Sequence, residues 1–173
     1  QALEMAKAVS DLLDSCQIEE VPVIERLDGL ADGDLAAHWQ VSARFIRAMV
    51  EGWSARLKDL DLMDVSERRV RLLRALAEQW THNPPQGVLV AAGSTGTAPA
   101  TADLLIAVSR APQGHVVLPG LDEDLASDAW DQVGEQHPQG AMRRLLYRAK
   151  VGRQDVRRWR AEADSRGRWR RRL

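Results

Sequence analysis

The sequence has a single cysteine, Cys16, and no long apolar run. One cysteine excludes an internal disulfide and fits a reducing cytoplasm, so we expect Cys16 to be a small buried side chain and not a nucleophile. A membrane span needs about 18 or more consecutive apolar residues, so neither a span nor a membrane partner is expected. The opening QALEMAKAVSDLLDSC has no basic region and is not a secretory signal. The predicted location is cytoplasmic.

Residues suited to metal or acid–base chemistry are scattered. The four histidines are His38, His82, His115 and His137. No pair of them has metal-ligand spacing, and one cysteine makes a zinc site improbable. Asp122, Glu123 and Asp124 form an acidic cluster that suits either a metal contact or a solvated loop. We predict no metal site and no cofactor in this chain, and no catalytic residue stands out among these side chains.

The net charge of −1 conceals a strong asymmetry. Residues 143–173 contain 13 basic and 3 acidic side chains, a balance of +10, whereas residues 1–142 have a balance of −11. A basic end suggests contact with a polyanion or an acidic protein surface, and a solvated helical face is the alternative. The candidate contacts with DNA or a partner are Arg143, Arg144, Arg157, Arg158, Trp159 and Arg160. A tryptophan among arginines can stack on a base or pack an amphipathic tail against the body.

The first 80 residues indicate helices and no strand. Helical spacing covers residues 2–15, and apolar residues recur every four positions from Val41 to Leu60, with Trp53 on that core stripe. A third helix is predicted from Glu67 to Thr81, with Ser66 as its cap and Trp80 on its core stripe. Between the first two helices, QIEEVPVIERLDGLADGD is interpreted as a linker that crosses a surface, because it contains one proline and two glycines.

The pattern changes after HNPPQG, where two prolines end the helix. Val88–Ala92 is a continuous apolar run that predicts a strand buried on both faces. A glycine loop follows, then a helix from Pro99 to Arg110 with Thr97 as the cap and its apolar side chains inward. HVVLPG predicts a second buried strand. Strand, helix and strand in about 30 residues predict a βαβ unit with parallel strands and a right-handed crossover.

Two short helices, in DLASDAWDQV and AMRRLLYRAKV, and a further turn in RQDVRRWR complete the prediction. The expected fold class is helix-rich α/β, with a helical lobe over 1–82 and a small parallel α/β lobe over 83–173. Two strands are few for a doubly wound sheet. The chain also lacks an initiator methionine and begins within a helical pattern, so we expect a fragment of a longer protein that supplies further strands.

The stretch VAAGSTGTAPATADLL has the layout of a phosphate loop but lacks its lysine. A strand end, a glycine turn and a helix N-terminus favour an anion, which would contact Ser94, Thr95, Gly96 and Thr97. A tight turn before a capped helix has the same layout. An enzyme that binds a phosphate ligand through Gly93–Thr97 is the alternative function.

Several blocks together resemble the AddB family of the alphaproteobacterial type, the B subunits of the AddAB helicase–nucleases that process DNA double-strand breaks for recombination. These blocks are HWQ, ERRVRLLRALAEQW, VAAGSTGTAPATADLL, APQGHVVLPGLD and HPQGAMRRLL, in unbroken order over roughly 28–159. The resemblance implies an internal fragment of the helicase-like region, with a helical insertion followed by part of a RecA-like motor lobe. It implies an AddA-type subunit and single-stranded DNA as partners, and a scaffolding role.

The resemblance also suggests what the glycine loop was. In active motors of this superfamily, the corresponding strand ends in an Asp–Glu pair, which here falls near Ala92 and Gly93. The next strand of such a motor ends in a Gly-Asp-rich sensor of the γ-phosphate, and the residues in its place here are Leu118, Pro119, Gly120, Leu121 and Asp122. The resemblance therefore implies an ATPase motif that has lost its carboxylates, in a chain that is not expected to be an enzyme. The nuclease domain of the family needs several cysteines and is not expected in this chain.

Overall fold

The structure is a computed structural model that describes residues 2–31 and 37–158. Four helices come first: α1 (Ala2–Ile18), α2 (Val23–Ala31), α3 (Ala37–Asp59) and α4 (Val65–His82). Strand β1 (Leu89–Ala92), helix α5 (Pro99–Arg110) and strand β2 (Gly114–Val117) follow, then α6 (Ser127–Asp131), α7 (Gly140–Ala149) and a single 3₁₀ turn (Arg153–Asp155). The expectation of a helix-rich α/β chain with two parallel strands is confirmed. Within the described ranges, no helix is long and apolar enough to cross a membrane.

The segment predicted as a linker contains helix α2, so that prediction is wrong. The Arg26 amide donates to the Pro22 carbonyl at 3.0 Å, which makes Pro22 the residue from which the helix starts. A proline is tolerated at this end because no helical hydrogen bond needs its missing N–H. Gly29 lowers helix propensity by only about 1 kcal/mol, which packing can offset. Pro22 therefore marks the start of this helix, and Gly29 is a position of low helix propensity within it. Neither residue prevents the helix from forming.

The start of α4 is capped by Asp64, not by Ser66 as predicted. One carboxylate oxygen of Asp64 accepts the Ser66 amide at 2.8 Å, and the other accepts the indole N–H of Trp53 at 3.1 Å. The Ser66 hydroxyl instead donates to the Asp14 carboxylate at 2.7 Å and ties α4 to α1. The helix thus begins two residues earlier than expected, because a carboxylate is available to satisfy its first free amide.

The apolar stripe of α3 is not a core face, contrary to the prediction. Four of its five members are exposed, with exposed fractions of 40% for Met49, 44% for Phe45, 45% for Trp53 and 59% for Val41. Leu57, the fifth, is half-buried. Trp80, the other predicted core tryptophan, is half-buried on α4. Periodicity reveals that one face of a helix is apolar, but it does not reveal what covers that face.

Strands β1 and β2 pair in parallel, with Leu89 opposite Gly114 and Ala92 opposite Val117. Helix α5 covers one face of this pair. Ala91 and Val116 point to that face and pack against the core cluster of Ala102, Leu105 and Leu145. Leu105 and Val108 are buried as predicted, and Leu104 is half-buried. The βαβ order therefore brings the carboxyl ends of both strands to one edge.

The strands are not buried on both faces, contrary to the prediction. Leu89 and Ala91 are half-buried, while Ala92 is exposed and Val90 has an exposed fraction of 52%. His115, opposite Val90, is also exposed. A continuous apolar run indicates burial only where both faces of the sheet have a covering layer. In the described residues, α5 packs on one face of β1 and the other face is open.

Helices α4 and α5, which lie on either side of the predicted lobe boundary at residue 82, pack along each other. A chain of charges reinforces this packing. Arg74 of α4 pairs with Glu20 at 2.5 Å and with Asp103 of α5, and Asp103 also pairs with Arg148 of α7 at 2.6 Å. One carboxylate thus holds arginines from two helices, and the sequence contains no signal for this pairing.

Candidate functional site

The glycine loop between β1 and α5 is closed by hydrogen bonds within the protein. The Gly93 amide donates to the Val117 carbonyl at 3.2 Å and extends the pairing of the strands by one residue. The Gly96 amide donates to the Ser94 hydroxyl at 3.3 Å. Gly93 and Gly96 have φ values of 80° and 61°, a region that favours glycine. Two amides that a phosphate would need therefore already have partners.

Gly96 also lies close against core side chains. It is buried, and a Cβ at this position would lie 3.1 Å from methyl carbons of Leu105 and Leu145. Both leucines belong to the core cluster against which the sheet packs. The loop backbone thus passes directly over the core, and the second glycine of the motif has a structural role.

The first residues of α5 differ from the prediction in one respect. Ala98, not Thr97, is the N-cap, and no side chain caps the helix, whereas Pro99 lies in the first turn as expected. Proline needs no partner for an amide and fixes a helical φ, so it can start the helix without a cap. Among the candidate anion contacts, the Ser94 hydroxyl is engaged with Gly96, and Thr95 and Thr97 are exposed.

The carboxyl edge of the sheet carries no acidic side chain at the strand ends. Ala92 is paired with Val117, and Gly93 and Leu118 follow directly. Pro119 and Gly120 are exposed, and Gly120 has a φ of 68° that turns the chain away from the sheet. The first carboxylate after β2 is therefore Asp122, four residues beyond Leu118 in the turn that follows.

Asp122 holds its own loop together. Its carboxylate accepts the amides of Asp124 at 3.0 Å and Leu125 at 3.1 Å. The side chain of Gln139 clamps the same loop, since it donates to the Gly120 carbonyl at 2.9 Å and accepts the Asp122 amide at 3.1 Å. The residues that resemble a γ-phosphate sensor are thus tied to the start of α7.

Most of the described basic side chains at the C-terminal end contact the protein itself. Arg144 pairs with Glu135 at 3.4 Å, and Arg158 pairs with Glu123 at 2.6 Å. The hydrogen bond and charge of Glu123 raise the pKa of Arg158 above its ordinary value. Arg157 is exposed. Trp159 and Arg160, the other predicted contacts, lie outside the described residues.

Arg143 and Arg153 form a different kind of contact. Arg143 donates to the carbonyls of Val133 at 3.0 Å and Asp131 at 2.9 Å. Arg153 donates to the Leu125 carbonyl at 2.6 Å, and its guanidinium lies 5.1 Å from the centre of the Trp130 ring. Carbonyl partners orient these arginines, and within residues 2–31 and 37–158 neither has a carboxylate partner. Arg143 is a contact predicted from the sequence, whereas Arg153 and Trp130 are not, because the three are brought together only by the fold.

Two grooves flank α7. The larger, of about 950 Å³, lies along β2 and is lined by apolar side chains of α5 and α7, with Arg157 and Arg158 at its margin. The smaller, of about 610 Å³, lies between α6, α7 and the 3₁₀ turn and is lined by Trp130, Tyr147, Arg143 and Arg153. Among the residues that the structure describes, no group of three or more His, Cys, Asp or Glu side chains could hold a metal ion.

Comparison with known proteins identifies no relative. No family model, no curated protein and no solved structure matches this chain. Its function is therefore inferred from its sequence blocks and from the geometry of its described residues.

Proposed function

We propose that this chain is a non-catalytic framework segment of the helicase-like region of an AddB-type subunit. It would hold the path of the unwound single strand and contacts with an AddA-type subunit in a complex that processes DNA double-strand breaks. The parallel pairing of β1 with β2, with Gly93 at the carboxyl end of β1, is the observation that carries the proposal. We also propose that the βαβ unit belongs to a RecA-like lobe, and the same parallel pairing supports this assignment.

The chemistry of the strand ends supports a framework role without hydrolysis. An ATP motor needs a carboxylate to hold Mg²⁺ and a polar side chain to orient the attacking water. Ala92 and Gly93 have no side-chain oxygen, and the carboxylate of Asp122 is engaged with two amides of its own turn. The internal hydrogen bonds of the glycine loop also disfavour the alternative of an enzyme that binds a phosphate ligand through Gly93–Thr97.

The basic end supports a contact with DNA, with a narrower set of arginines than the sequence indicates. Arg144 and Arg158 are paired with exposed carboxylates of the same chain, so they would contribute less to such a contact. The DNA contact in this proposal therefore centres on Arg157, on Arg143 with its uncompensated charge, and on the arginines that follow residue 158. An electrostatic contact of this kind weakens as salt is added, because bound phosphates release counterions.

Charge reversal of Arg157, Arg158 and Arg160 to Glu separates DNA binding from docking to the large subunit. If these arginines line the DNA path, the triple variant loses affinity for single-stranded DNA, and wild-type affinity falls about tenfold or more between 50 and 200 mM salt. The matched control reverses three exposed arginines of α4, Arg68, Arg69 and Arg71, to Glu and should retain DNA affinity. Loss of assembly with the large subunit at unchanged DNA affinity would assign the basic end to docking instead.

A further inference from the structure

The smaller groove combines aromatic rings with uncompensated positive charge. Its volume is about 610 Å³, and Trp130 and Tyr147 line it together with Arg143 and Arg153. Planar rings next to guanidinium groups are the combination by which proteins hold single-stranded nucleic acid, because a base stacks on the ring while the cation meets a phosphate. The motifs of the sequence involve neither ring.

The two arginines are fixed in place before any ligand arrives. Arg143 is held by two carbonyls and Arg153 by the Leu125 carbonyl, and the Arg153 guanidinium lies over Trp130. Within the described part of the chain neither forms an ion pair, unlike their neighbours Arg144, Arg148 and Arg158. A guanidinium has five N–H donors, so each arginine keeps donors for an anion.

The acidic side chains of the groove do not cancel this charge. Glu123 also lines the groove, but it is paired with Arg158 at 2.6 Å. Asp131 is the other carboxylate among the lining residues, and its carbonyl is one of the oxygens that hold Arg143. Because Glu123 and Arg158 offset each other, the two arginines of the groove face one further carboxylate among the lining residues, that of Asp131.

Tyr147 provides the stacking surface. Its exposed fraction is 87%, on the last turns of α7, four residues after Arg143 on the same face of the helix. An aromatic ring left so exposed contributes little to folding, whereas at the margin of a basic groove it offers a face to a planar ligand. Its exposure also means that truncation of Tyr147 should leave the fold intact.

We propose that this groove binds a nucleotide unit, with the base against Tyr147 and the phosphate against Arg143 and Arg153. The unit belongs either to a single strand of nucleic acid or to a free nucleotide. The inference adds a specific binding groove to the DNA contact of the proposed function. It rests on that function where it takes the polymer to be single-stranded DNA.

Fluorescence anisotropy of a labelled oligothymidylate, about 15 nucleotides long, tests the groove in the full chain without Mg²⁺. Tyr147→Ala should weaken binding about tenfold, since loss of one stacked base has an effect of that order. Tyr147→Phe keeps the ring and should bind like the wild type. Trp39→Ala is the matched control, because Trp39 is an exposed aromatic on α3, with an exposed fraction of 61%.

Competition with thymidine monophosphate identifies the source of the nucleotide. If the monophosphate displaces the oligomer from the wild type, and Tyr147→Ala weakens both ligands equally, the groove accepts a free nucleotide. If the oligomer alone depends on Tyr147, the groove is part of a single-strand path. Equal binding of the oligomer by wild type and Tyr147→Ala would overturn the inference. If the oligomer is then lost only by the variant with Arg157, Arg158 and Arg160 reversed to Glu, the proposed DNA contact is supported, but the groove is not part of it.

A wild-type chain that binds neither oligomer nor monophosphate would also overturn the inference. The framework role would in that case be judged separately, by assembly with the large subunit.

Discussion

At the scale of single residues, backbone conformation and packing account for the two glycines of the loop between β1 and α5. Gly93 and Gly96 both have positive φ, but their surroundings differ. A Cβ on Gly93 would meet open space, whereas one on Gly96 would lie 3.1 Å from Leu105 and Leu145. The resemblance to a phosphate loop is therefore explained at Gly96 by the need to bring the backbone close to the core.

Alanine substitutions at the two glycines should differ in their cost. Gly93→Ala should lower the free energy of unfolding by about 1–2 kcal/mol, the cost of a left-handed conformation with a side chain. Gly96→Ala should cost about 1–3 kcal/mol more, because it also overpacks the core. Gly87→Ala, at a position with open space and no positive φ, is the control. Urea unfolding measures all three, and equal costs at Gly93 and Gly96 would contradict the packing role.

Asp64 is a second residue with a separable role, because each of its carboxylate oxygens has a different partner. Asp64→Ala should lower the free energy of unfolding by about 1–2 kcal/mol through loss of the cap. Asp64→Asn keeps an acceptor oxygen and should cost less. Trp53→Phe removes the indole donor and part of the ring, so only the share of its cost that comes from the hydrogen bond should disappear in the Asp64→Ala background. Additive costs in thermal or urea unfolding would show that Trp53 and Asp64 act independently.

At the scale of elements, Asp103 joins three helices, because its carboxylate meets Arg74 of α4 and Arg148 of α7 from its place on α5. The side chain of Asp103 has an exposed fraction of 27%, so these pairs are partly screened. Such pairs contribute about 1 kcal/mol or less each. Their value lies in fixing how α4, α5 and α7 lie relative to one another.

A double-mutant cycle between Asp103→Ala and Arg148→Ala should give a coupling of about 0.5–1 kcal/mol in urea unfolding at low salt. The coupling should shrink in 1 M salt, where the Debye length falls to about 3 Å. Arg144→Ala, whose partner is Glu135, is the control and should not couple to Asp103. Coupling that is absent at low salt would contradict a structural role for the pair.

The elements also show which features could be read from the sequence. Helix α5 runs from Pro99 to Arg110 as predicted, because a proline starts it and Pro112 prevents its continuation. The parallel pairing of the strands follows from the single helix between them. Their half-open burial does not, since exposure of Val90 depends on what covers the sheet. The glycine loop of the candidate site can be recognised in the sequence. The grouping of Trp130, Arg143 and Arg153 cannot, because it depends on contacts between distant segments.

At the scale of the whole molecule, several apolar surfaces have no cover within the described residues. The α3 stripe of Val41, Phe45, Met49 and Trp53 is exposed, one face of the sheet is open, and a groove of about 950 Å³ runs along β2. Contiguous apolar patches on a protein surface are typical of interaction sites. These surfaces are compatible with the proposed role as a framework segment within a larger assembly.

Charged substitutions on the α3 stripe test whether that face is free in the isolated chain. Phe45→Asp with Met49→Asp should change the free energy of unfolding by no more than about 1 kcal/mol, since surface positions usually tolerate substitution. The same variant should bind less of an apolar fluorescent dye than the wild type. Arg44→Asp on the same helix is the control for added negative charge. Loss of several kcal/mol would show that the stripe is buried and not an open surface.

Mg²⁺-dependent ATP hydrolysis by the purified chain, with single-stranded DNA present, tests the central claim most directly. The account predicts that phosphate release by the purified chain equals that of buffer alone. Replacement of Ala92 by Asp and of Gly93 by Glu should not raise it, because a carboxylate pair by itself does not make a complete motor site. The double variant Thr95→Ala and Thr97→Ala, at two exposed positions of the loop, controls for a contaminating ATPase, since a contaminant is indifferent to the loop. Hydrolysis by the wild type that this variant abolishes would contradict the claim that the loop has no catalytic function.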